Sequence, residues 1–177
     1  MTTAEYMAMP DDGRQYELFH GLLVMSPCAL HAHGRVVAYI ASVMVPFVRA
    51  RKLGVVGTET DIVMQDDTVL RPDVHYISKR NREIIKGHIY GPPELVVEVT
   101  SPSNWRTDLL QKRDEYQHFG IREYWLIDIL KGHQRAFQWT LRAGKYRGGQ
   151  VDSKKLQSSS LKGLELNLND VWELAED

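Results

Sequence analysis

The sequence predicts an α/β protein, a mixed α+β fold in which a central mixed β-sheet is flanked by helices. Residues 95–99 and 124–127 form two apolar runs, which are typical of strands buried inside a sheet. A helical pattern separates the two runs, and strand, helix, strand at this spacing predicts a right-handed parallel crossover. Residues 30–51 carry a long amphipathic pattern and predict a helix that covers the sheet.

The segment before this long helix predicts an N-terminal β-hairpin. Residues 16–26 contain two apolar stretches joined at His20 and Gly21, and Pro27 is expected to end the second strand. Gly54 is predicted to close the long helix. Its apolar residues recur at helical spacing: Val37, Ile40, Met44, Phe47 and Val48.

Residues 55–77 alternate short β-rich runs with turns, which predicts a bent antiparallel meander interrupted by Pro72. The helix between the two buried strands is expected to begin near Ser103 or Thr107. Phe119 is its last predicted residue, because Gly120 follows it.

The C-terminal part of the sequence predicts a β-rich extension. Residues 136–141 and 145–147 form a predicted hairpin, and residues 169–174 form a last short element. Since no internal repeat and no boundary between domains is visible, we expect one domain over residues 1–177.

Composition and charge narrow the classes of function. The single cysteine, Cys28, excludes an internal disulfide and a cysteine-rich zinc site, so a metal here would be held by oxygen or nitrogen. No apolar run could cross a bilayer and no signal peptide is visible, so a cytoplasmic location is expected. The net charge of -1 argues against a dedicated polyanion binder. Local basic clusters are more simply explained as solvated surface, and no nucleic-acid-contacting residue is predicted from them.

Glu98 is the first residue that breaks the pattern, because it interrupts the most apolar predicted strand. An unpaired buried carboxylate would cost several kcal/mol, so a partner is required. A structural ion pair and a functional role are both open at this position.

Asp73 follows Pro72 at the start of a predicted strand, where an aspartate often caps a turn. Two acids on neighbouring strands repel each other unless a cation lies between them, and hard divalent ions prefer oxygen ligands. Asp73 and Glu98 together therefore indicate a metal site more strongly than either acid alone.

Lys112 is the third anomaly. Leu109, Lys112, Tyr116 and Phe119 share one helix face, the face that packs on the sheet. The lysine could snorkel to solvent, pair with Glu98, or reach the metal site and stabilise a phosphate transition state.

Glu17 in the first hairpin and His33 near the start of the long helix are weaker candidates. For Glu17, an outward-facing residue of a half-exposed strand is an equally good explanation. For His33, a packing role is more common than a ligand role for a lone histidine at such a position. No Gly-rich phosphate loop or Gly-x-Ser-x-Gly elbow is present, which excludes kinase, Rossmann and α/β-hydrolase interpretations.

Several segments together resemble the Uma2 family of endonucleases, in the family's order and spacing over about residues 16–147. The resemblance rests on residues 16–18, 25–27, 69–74, 91–99, 101–103 and 120–128, together with Asp108, Lys112, Glu115 and Tyr116.

The resemblance implies a restriction endonuclease-like fold of the PD-(D/E)XK superfamily. It implies Asp73 and Glu98 as metal ligands, with the backbone carbonyl of Val99 as a third. Thr100 stands where the superfamily usually has its lysine, and Lys112 matches the place on the following helix to which Uma2-like sequences move it.

Two further matches are less central. Glu17 matches the family's first-hairpin acid, a possible auxiliary metal ligand, and His33 matches a histidine that commonly opens the long helix. The family often has Ile-Asp-Gly-Glu where this chain has residues 19–22, and an acid where it has Ala32. These departures bear on substrate contacts rather than on the predicted chemistry.

The predicted function is therefore Mg²⁺- or Mn²⁺-dependent hydrolysis of phosphodiester bonds in nucleic acid, with DNA as the expected substrate. The main alternative is a catalytically silent binding or assembly module in which Lys112 and Glu98 form a buried ion pair. Hydrolysis of a non-nucleic phosphoester is a third hypothesis. By analogy with other nucleases, a homodimer or higher homo-oligomer is expected, with a contact supplied by the β-rich segment after Gly132.

Overall fold

The structure is a computed structural model that describes residues 1–26, 30–100 and 111–176. Its helices are α1 (Thr3–Met7), α2 (His31–Ala50), α3 (Arg113–Phe119) and α4 (Leu168–Ala175), with a 3-10 helix at Lys79–Ile84. Its strands are β1 (Tyr16–Phe19), β2 (Leu22–Met25), β3 (Gly54–Thr58), β4 (Ile62–Gln65), β5 (Thr68–Leu70), β6 (Val74–Ser78), β7 (Ile85–Lys86), β8 (His88–Ile89), β9 (Leu95–Thr100), β10 (Glu123–Asp128), β11 (Arg135–Arg142), β12 (Lys145–Gln150), β13 (Lys155–Gln157) and β14 (Glu165–Asn167).

The central sheet is mixed and has six strands in the order β12-β11-β10-β9-β6-β3. Strands β9 and β10 pair in parallel, and the remaining neighbours pair antiparallel. Every residue of β9 and β10 is buried, because layers cover both faces of the sheet. The mixed sheet flanked by helices, with two buried parallel strands inside it, confirms the predicted fold class.

One face of the central sheet is covered by α2, α4 and the β13-β14 hairpin. The buried residues of α2 share one face of the helix and pack against β9 and β10. Leu166 and Val171 complete this cluster. The residues that α2 contributes are Val36, Val37, Ile40, Met44 and Val48.

The opposite face is covered by α3 and by a second sheet, whose order is β2-β1-β5-β4-β8-β7. Tyr116 of α3 packs there against Tyr124 of β10, with ring centroids 5.2 Å apart. The N-terminal hairpin predicted from the sequence forms one edge of this second sheet. The predicted C-terminal hairpin is β11-β12, at one edge of the central sheet.

The predicted single meander over residues 55–77 is wrong, because its strands belong to two sheets. Strands β3 and β6 pair with each other in the central sheet, whereas β4 and β5 pair in the second sheet. The chain leaves the central sheet at Glu59, which has a positive φ of 47°, and returns after Pro72. Proline has no N–H to donate to a sheet, so it favours the point where the chain changes sheets.

Gly54 does not close α2, contrary to the prediction. The helix ends at Ala50, and Lys52 takes the left-handed conformation with φ 53°. Gly54 begins β3 and is required for close approach, since a Cβ atom there would lie 2.1 Å from the carbonyl oxygen of Ile77.

The remaining boundaries follow the sequence where the structure describes them. Helix α3 ends at Phe119, and Gly120 has a left-handed φ of 90°. Its predicted start at Ser103 or Thr107 lies outside the described residues. The last element is α4, whose N-cap side chain Asn167 accepts the N–H of Asn169. None of the helices in the described ranges is long and apolar enough to cross a bilayer.

Candidate active site

Strand β9 carries Glu98 into the layer between the central sheet and α3. Alternate strand residues face opposite sides, so Glu98 shares its side with Val96 while Val97 and Val99 face α2. Only 4% of Glu98 is exposed. Its Oε1 accepts the hydroxyl of Tyr116 at 2.5 Å and lies 3.2 Å from Nζ of Lys112.

Glu17 approaches the same lysine from the second sheet. Its Oε1 lies 3.0 Å from Nζ of Lys112 and accepts the backbone N–H of Arg71 at 2.7 Å. Lys112 therefore lies between the Glu17 and Glu98 carboxylates, and its side chain is only 9% exposed. The buried cation offsets the repulsion that the two acids would otherwise exert on each other.

Lys112 and Tyr116 lie one helical turn apart, as the spacing predicts for residues on one face. Tyr116 is fully buried, and Phe119 packs against the same cluster; Leu109, the fourth residue of the predicted face, lies outside the described residues. Burial, followed by the charges of Glu98 and Glu17, raises the pKa of Tyr116 well above its ordinary value. Its hydroxyl thus stays protonated and donates to Glu98.

Asp73 is the residue directly before β6, and β6 is the neighbour of the strand that carries Glu98. The β6-β9 register pairs Val74 with Val97, and one further step places Asp73 opposite Glu98. Oδ2 of Asp73 accepts the backbone N–H of Val99 at 2.6 Å. The Asp73 carboxylate therefore holds the strand at the residue that follows Glu98.

His33 belongs to the first turn of α2 and reaches Asp73 from the other side. Its Nε2 lies 3.2 Å from Oδ1 of Asp73, and its side chain is 11% exposed. Burial alone would lower the pKa of His33. The hydrogen bond and charge of Asp73, together with the backbone of Val99, outweigh burial and raise it.

All the residues predicted for the site thus fall into two adjoining groups. Glu17, Glu98 and Lys112 form the acid-lysine cluster, while Asp73, Val99 and His33 form the second group. Two contributors were missed from the sequence. Tyr116 binds Glu98, and its place four residues after Lys112 on one face was a usable signal. The role of the Arg71 N–H depends on tertiary contact and left no sequence signal.

Thr100 occupies the position where the superfamily usually has a lysine. Its hydroxyl donates to Oδ1 of Asp128 at 3.0 Å, and Asp128 also binds Arg135 at 2.8 Å. Thr100 thus belongs to a separate structural network at the ends of β9 and β10.

A groove of about 340 Å³ opens beside the acid-lysine cluster. Its lining combines polar Glu17, His20, Gln111 and Lys112 with apolar Phe19, Leu22 and Val24 of the first hairpin. Lys112 and Glu17, both largely buried, thus border this groove.

The chemical types of the candidate ligands, although not a formed metal site, suit a hard divalent cation. Asp73 and Glu98 offer carboxylate oxygens and Val99 a backbone carbonyl, which are the ligand types that such a cation prefers. In this structure the two carboxylates contact Lys112 and His33, which a bound cation would have to displace or accommodate. Within the described ranges, no group of three or more histidine, cysteine, aspartate or glutamate side chains is placed to hold a metal. A ligand set of two acids and one carbonyl is compatible with that finding.

Comparison with known proteins identifies the family and the fold. The family model described as Uma2, "Putative restriction endonuclease", matches residues 3–169. The crystal structure of a putative nuclease belonging to DUF820 from Anabaena variabilis superposes with a TM-score of 0.80. That protein is 16% identical in sequence, and the match covers 99% of each chain. A search of curated proteins finds no match. The family model covers nearly the whole chain, and the protein therefore belongs to the Uma2 family.

Proposed function

We propose that this protein is a metal-dependent endonuclease that hydrolyses phosphodiester bonds of nucleic acid, with DNA as the expected substrate. The observation that carries the proposal is the pairing of β6 with β9, whose register puts Asp73 opposite Glu98 beside a buried lysine. A nuclease of this kind needs acids to hold a cation and a fixed positive group near the phosphate. Membership of the Uma2 family supports the same class of activity.

Asp73, Glu98 and the carbonyl of Val99 would hold Mg²⁺ or Mn²⁺, and Glu17 is the auxiliary ligand. When bound, such an ion activates water and neutralises charge on the phosphate.

Lys112 then has two tasks in the proposed mechanism. Before substrate binds, its ammonium group neutralises Glu17 and Glu98, to which it lies at 3.0 and 3.2 Å. When a phosphodiester enters the groove, the same group donates to the phosphate or to the attacking water and offsets the developing negative charge.

The other side chains position these groups. Tyr116 donates to Oε1 of Glu98 and fixes the rotamer of that carboxylate. Glu17 holds Lys112 and the backbone N–H of Arg71, so it links the lysine to the segment that leads into Asp73. His33 donates to Asp73 and is proposed as a positioning residue for that acid.

Nicking of supercoiled plasmid in the presence of Mn²⁺ tests the proposal. We expect wild type to convert the plasmid to the open circular form. Asp73→Asn should lose about 10²- to 10⁴-fold of the rate. Asparagine still offers an oxygen to the N–H of Val99, so the loss should not follow from unfolding. Asp114→Asn, an exposed acid on α3, is the matched control and should keep full activity. Equal rates for wild type and Asp73→Asn would refute the assignment.

A second function is favoured by one observation, the buried contact between Lys112 and Glu98. In a catalytically silent binding or assembly module, Lys112 and Glu98 would serve only as a structural ion pair and no metal would bind. Calorimetric titration with Mn²⁺ separates the two hypotheses. The nuclease hypothesis predicts binding that Asp73→Asn and Glu98→Gln both abolish, and the silent module predicts no binding that depends on them.

Three further expectations accompany the proposal. We propose that residues 1–177 fold as one domain, that the protein acts in the cytoplasm, and that it functions as a homodimer.

A further inference from the structure

Strand β2 at the outer edge of the second sheet is unusually exposed for its composition. All four of its residues are apolar, and Leu22, Val24 and Met25 are 69%, 46% and 57% exposed. Leu30, the next described residue beyond Ser26, is also 58% exposed. An apolar edge strand of this kind pairs readily with another strand.

The backbone of β2 has hydrogen-bonding groups available for such pairing. The turn at His20 and Gly21 pairs Phe19 with Leu22, so alternate residues of β2 bond to β1. Ser26 continues this alternation, since its N–H donates to the carbonyl of Gln15 at 2.8 Å. Leu23 and Met25 fall between the bonded positions, so their N–H and C=O groups point away from β1.

The other outer edges of the two six-stranded sheets carry features that hinder pairing. Strand β12 has exposed Lys145 and Arg147, and β7 is two residues long and includes Lys86. Strand β3 is half buried beside α2. Charge, shortness and cover are the common protections of an edge. Strand β2 carries no charged residue, and all four of its residues are exposed.

We propose that a second copy of this chain pairs antiparallel with β2 and forms a homodimer. The occupant must be an extended strand with apolar side chains on both faces and outward N–H and C=O groups at alternate residues. The β2 strand of a second copy has all of these properties. A nucleic-acid strand does not fit, because β2 offers no positive charge to its phosphates.

The pattern of outward-pointing backbone groups limits the register of the dimer. In an antiparallel pair, outward-pointing residues bond to outward-pointing residues. The register that uses both outward-pointing residues of each strand pairs Leu23 of one protomer with Met25 of the other, and it places Val24 on the two-fold axis opposite its own copy. This replaces the expectation that the segment after Gly132 supplies the contact, because the exposed edge of that segment carries Lys145 and Arg147.

The register also relates the two sites of the dimer. Glu17 is the cross-strand partner of Val24 and lies on the same face. The order Glu17, Val24, Val24 of the second copy and its Glu17 spans three strand spacings, about 15 Å between the Cα atoms of the glutamates. Both sites therefore face one side of a continuous sheet. That they act together on two strands rests on the proposed function, whereas the pairing itself does not.

Disulfide trapping tests the register without any assay of activity. In a Cys28→Ser background, Val24→Cys is then the only cysteine, and its Cα lies about 4.5 Å from that of its copy, within disulfide range. Mild oxidation should convert most of this variant to a covalent dimer. Leu22→Cys is the matched control: it is more exposed, but its cross-strand partner is Ser26 of the second copy, so it should form no disulfide-linked dimer.

Sedimentation velocity tests the dimer itself. Wild type should show a concentration-dependent dimer, and Met25→Lys should be monomeric at the same concentrations because the charge lies in the strand pair. Tyr90→Lys, at an exposed apolar residue elsewhere, should remain dimeric. The proposal is overturned if wild type is monomeric and the Val24→Cys variant forms no covalent dimer. Both readouts are independent of the plasmid assay, so failure of the dimer and failure of the nuclease hypothesis can be told apart.

Discussion

Lys112 is the residue on which stability and proposed activity meet. It is the cation between Glu17 and Glu98, and all three side chains are nearly buried. Such a group costs free energy to bury, and removing it leaves uncompensated negative charge, which costs about 3–5 kcal/mol in comparable buried pairs. A buried ion pair adds little net stability, so the burial of the Lys112 ammonium between two acids favours a functional role for its charge.

We predict that Lys112→Met lowers the free energy of unfolding in urea by about 3–5 kcal/mol, because Glu98 and Glu17 then lack their shared cation. Lys112→Met combined with Glu98→Gln should recover part of that loss, since the second change removes one of the two charges. Arg113→Met, the adjacent and half-exposed residue, is the control. If Lys112→Met is as stable as Arg113→Met, the ion pair does not exist in solution.

At the scale of elements, α2 and α4 are joined by a hydrogen bond that reports on pH. The hydroxyl of Tyr39 donates to Oδ2 of Asp170 at 2.7 Å. Burial, with the bond and charge of Asp170, raises the pKa of Tyr39 to about 12. A group with a raised folded pKa stabilises below its unfolded pKa, near 10, and this stability is lost as pH rises through the folded value.

Between pH 10 and 12, the Tm of wild type should therefore fall more steeply than that of Tyr39→Phe. Phenylalanine cannot ionise, so it removes this part of the pH dependence. The control is Tyr90→Phe, at an exposed position, whose pH profile should follow wild type. Parallel profiles for wild type and Tyr39→Phe would show that the bond does not form.

The β11-β12 hairpin contains a pair of glycines with opposite requirements. A Cβ atom at Gly148 would lie 2.2 Å from the carbonyl oxygen of Gln138, and the residue has a positive φ of 123°. Gly149 has open space around its Cα. Gly148→Ala should lower the unfolding free energy by about 2 kcal/mol or more, as expected for a strained backbone, whereas Gly149→Ala should change it little. Equal effects in a thermal melt would contradict the hairpin geometry.

How far the sequence predicts this structure depends on the range of the signal. Strands β9 and β10 were predicted because an apolar run identifies a buried strand locally, and Glu98 and Lys112 because each interrupts such a pattern. The division of β4 and β5 into a second sheet was not predicted, since local alternation does not tell which neighbour a strand joins. The bond from Val99 to Asp73 likewise depends on the β6-β9 register, which sequence periodicity does not contain.

At the scale of the whole molecule, Glu123 ties the C-terminal segment to the central sheet. This carboxylate is fully buried and accepts the side chains of Trp125, Gln138 and Ser158 and the backbone N–H groups of Ser159 and Ser160. Five donors converge on one acid of β10, so Glu123 is a main polar anchor of residues 158–160, beside the apolar packing of the segment that follows them.

Glu123→Gln should lower the unfolding free energy by about 1–3 kcal/mol for each donor left unsatisfied, because an amide accepts at only one of its two ends. Limited proteolysis should then cut the chain after residue 157 sooner than in wild type. Glu165→Gln, an exposed acid of β14, is the control and should resist as wild type does. Unchanged proteolysis in Glu123→Gln would mean that other contacts hold the segment.

The bond from the N–H of Arg71 to Glu17 connects two parts of the molecule that are far apart in sequence. Arg71 precedes Asp73 by two residues, so the bond to Glu17 helps to fix the position of Asp73 relative to β9. A substitution at Glu17 should therefore shift the position of Asp73 even if Glu17 is not a metal ligand. Over evolutionary time the two positions should change together: a homologue without an acid at the first hairpin should supply another acceptor for that amide, or lose its nuclease activity.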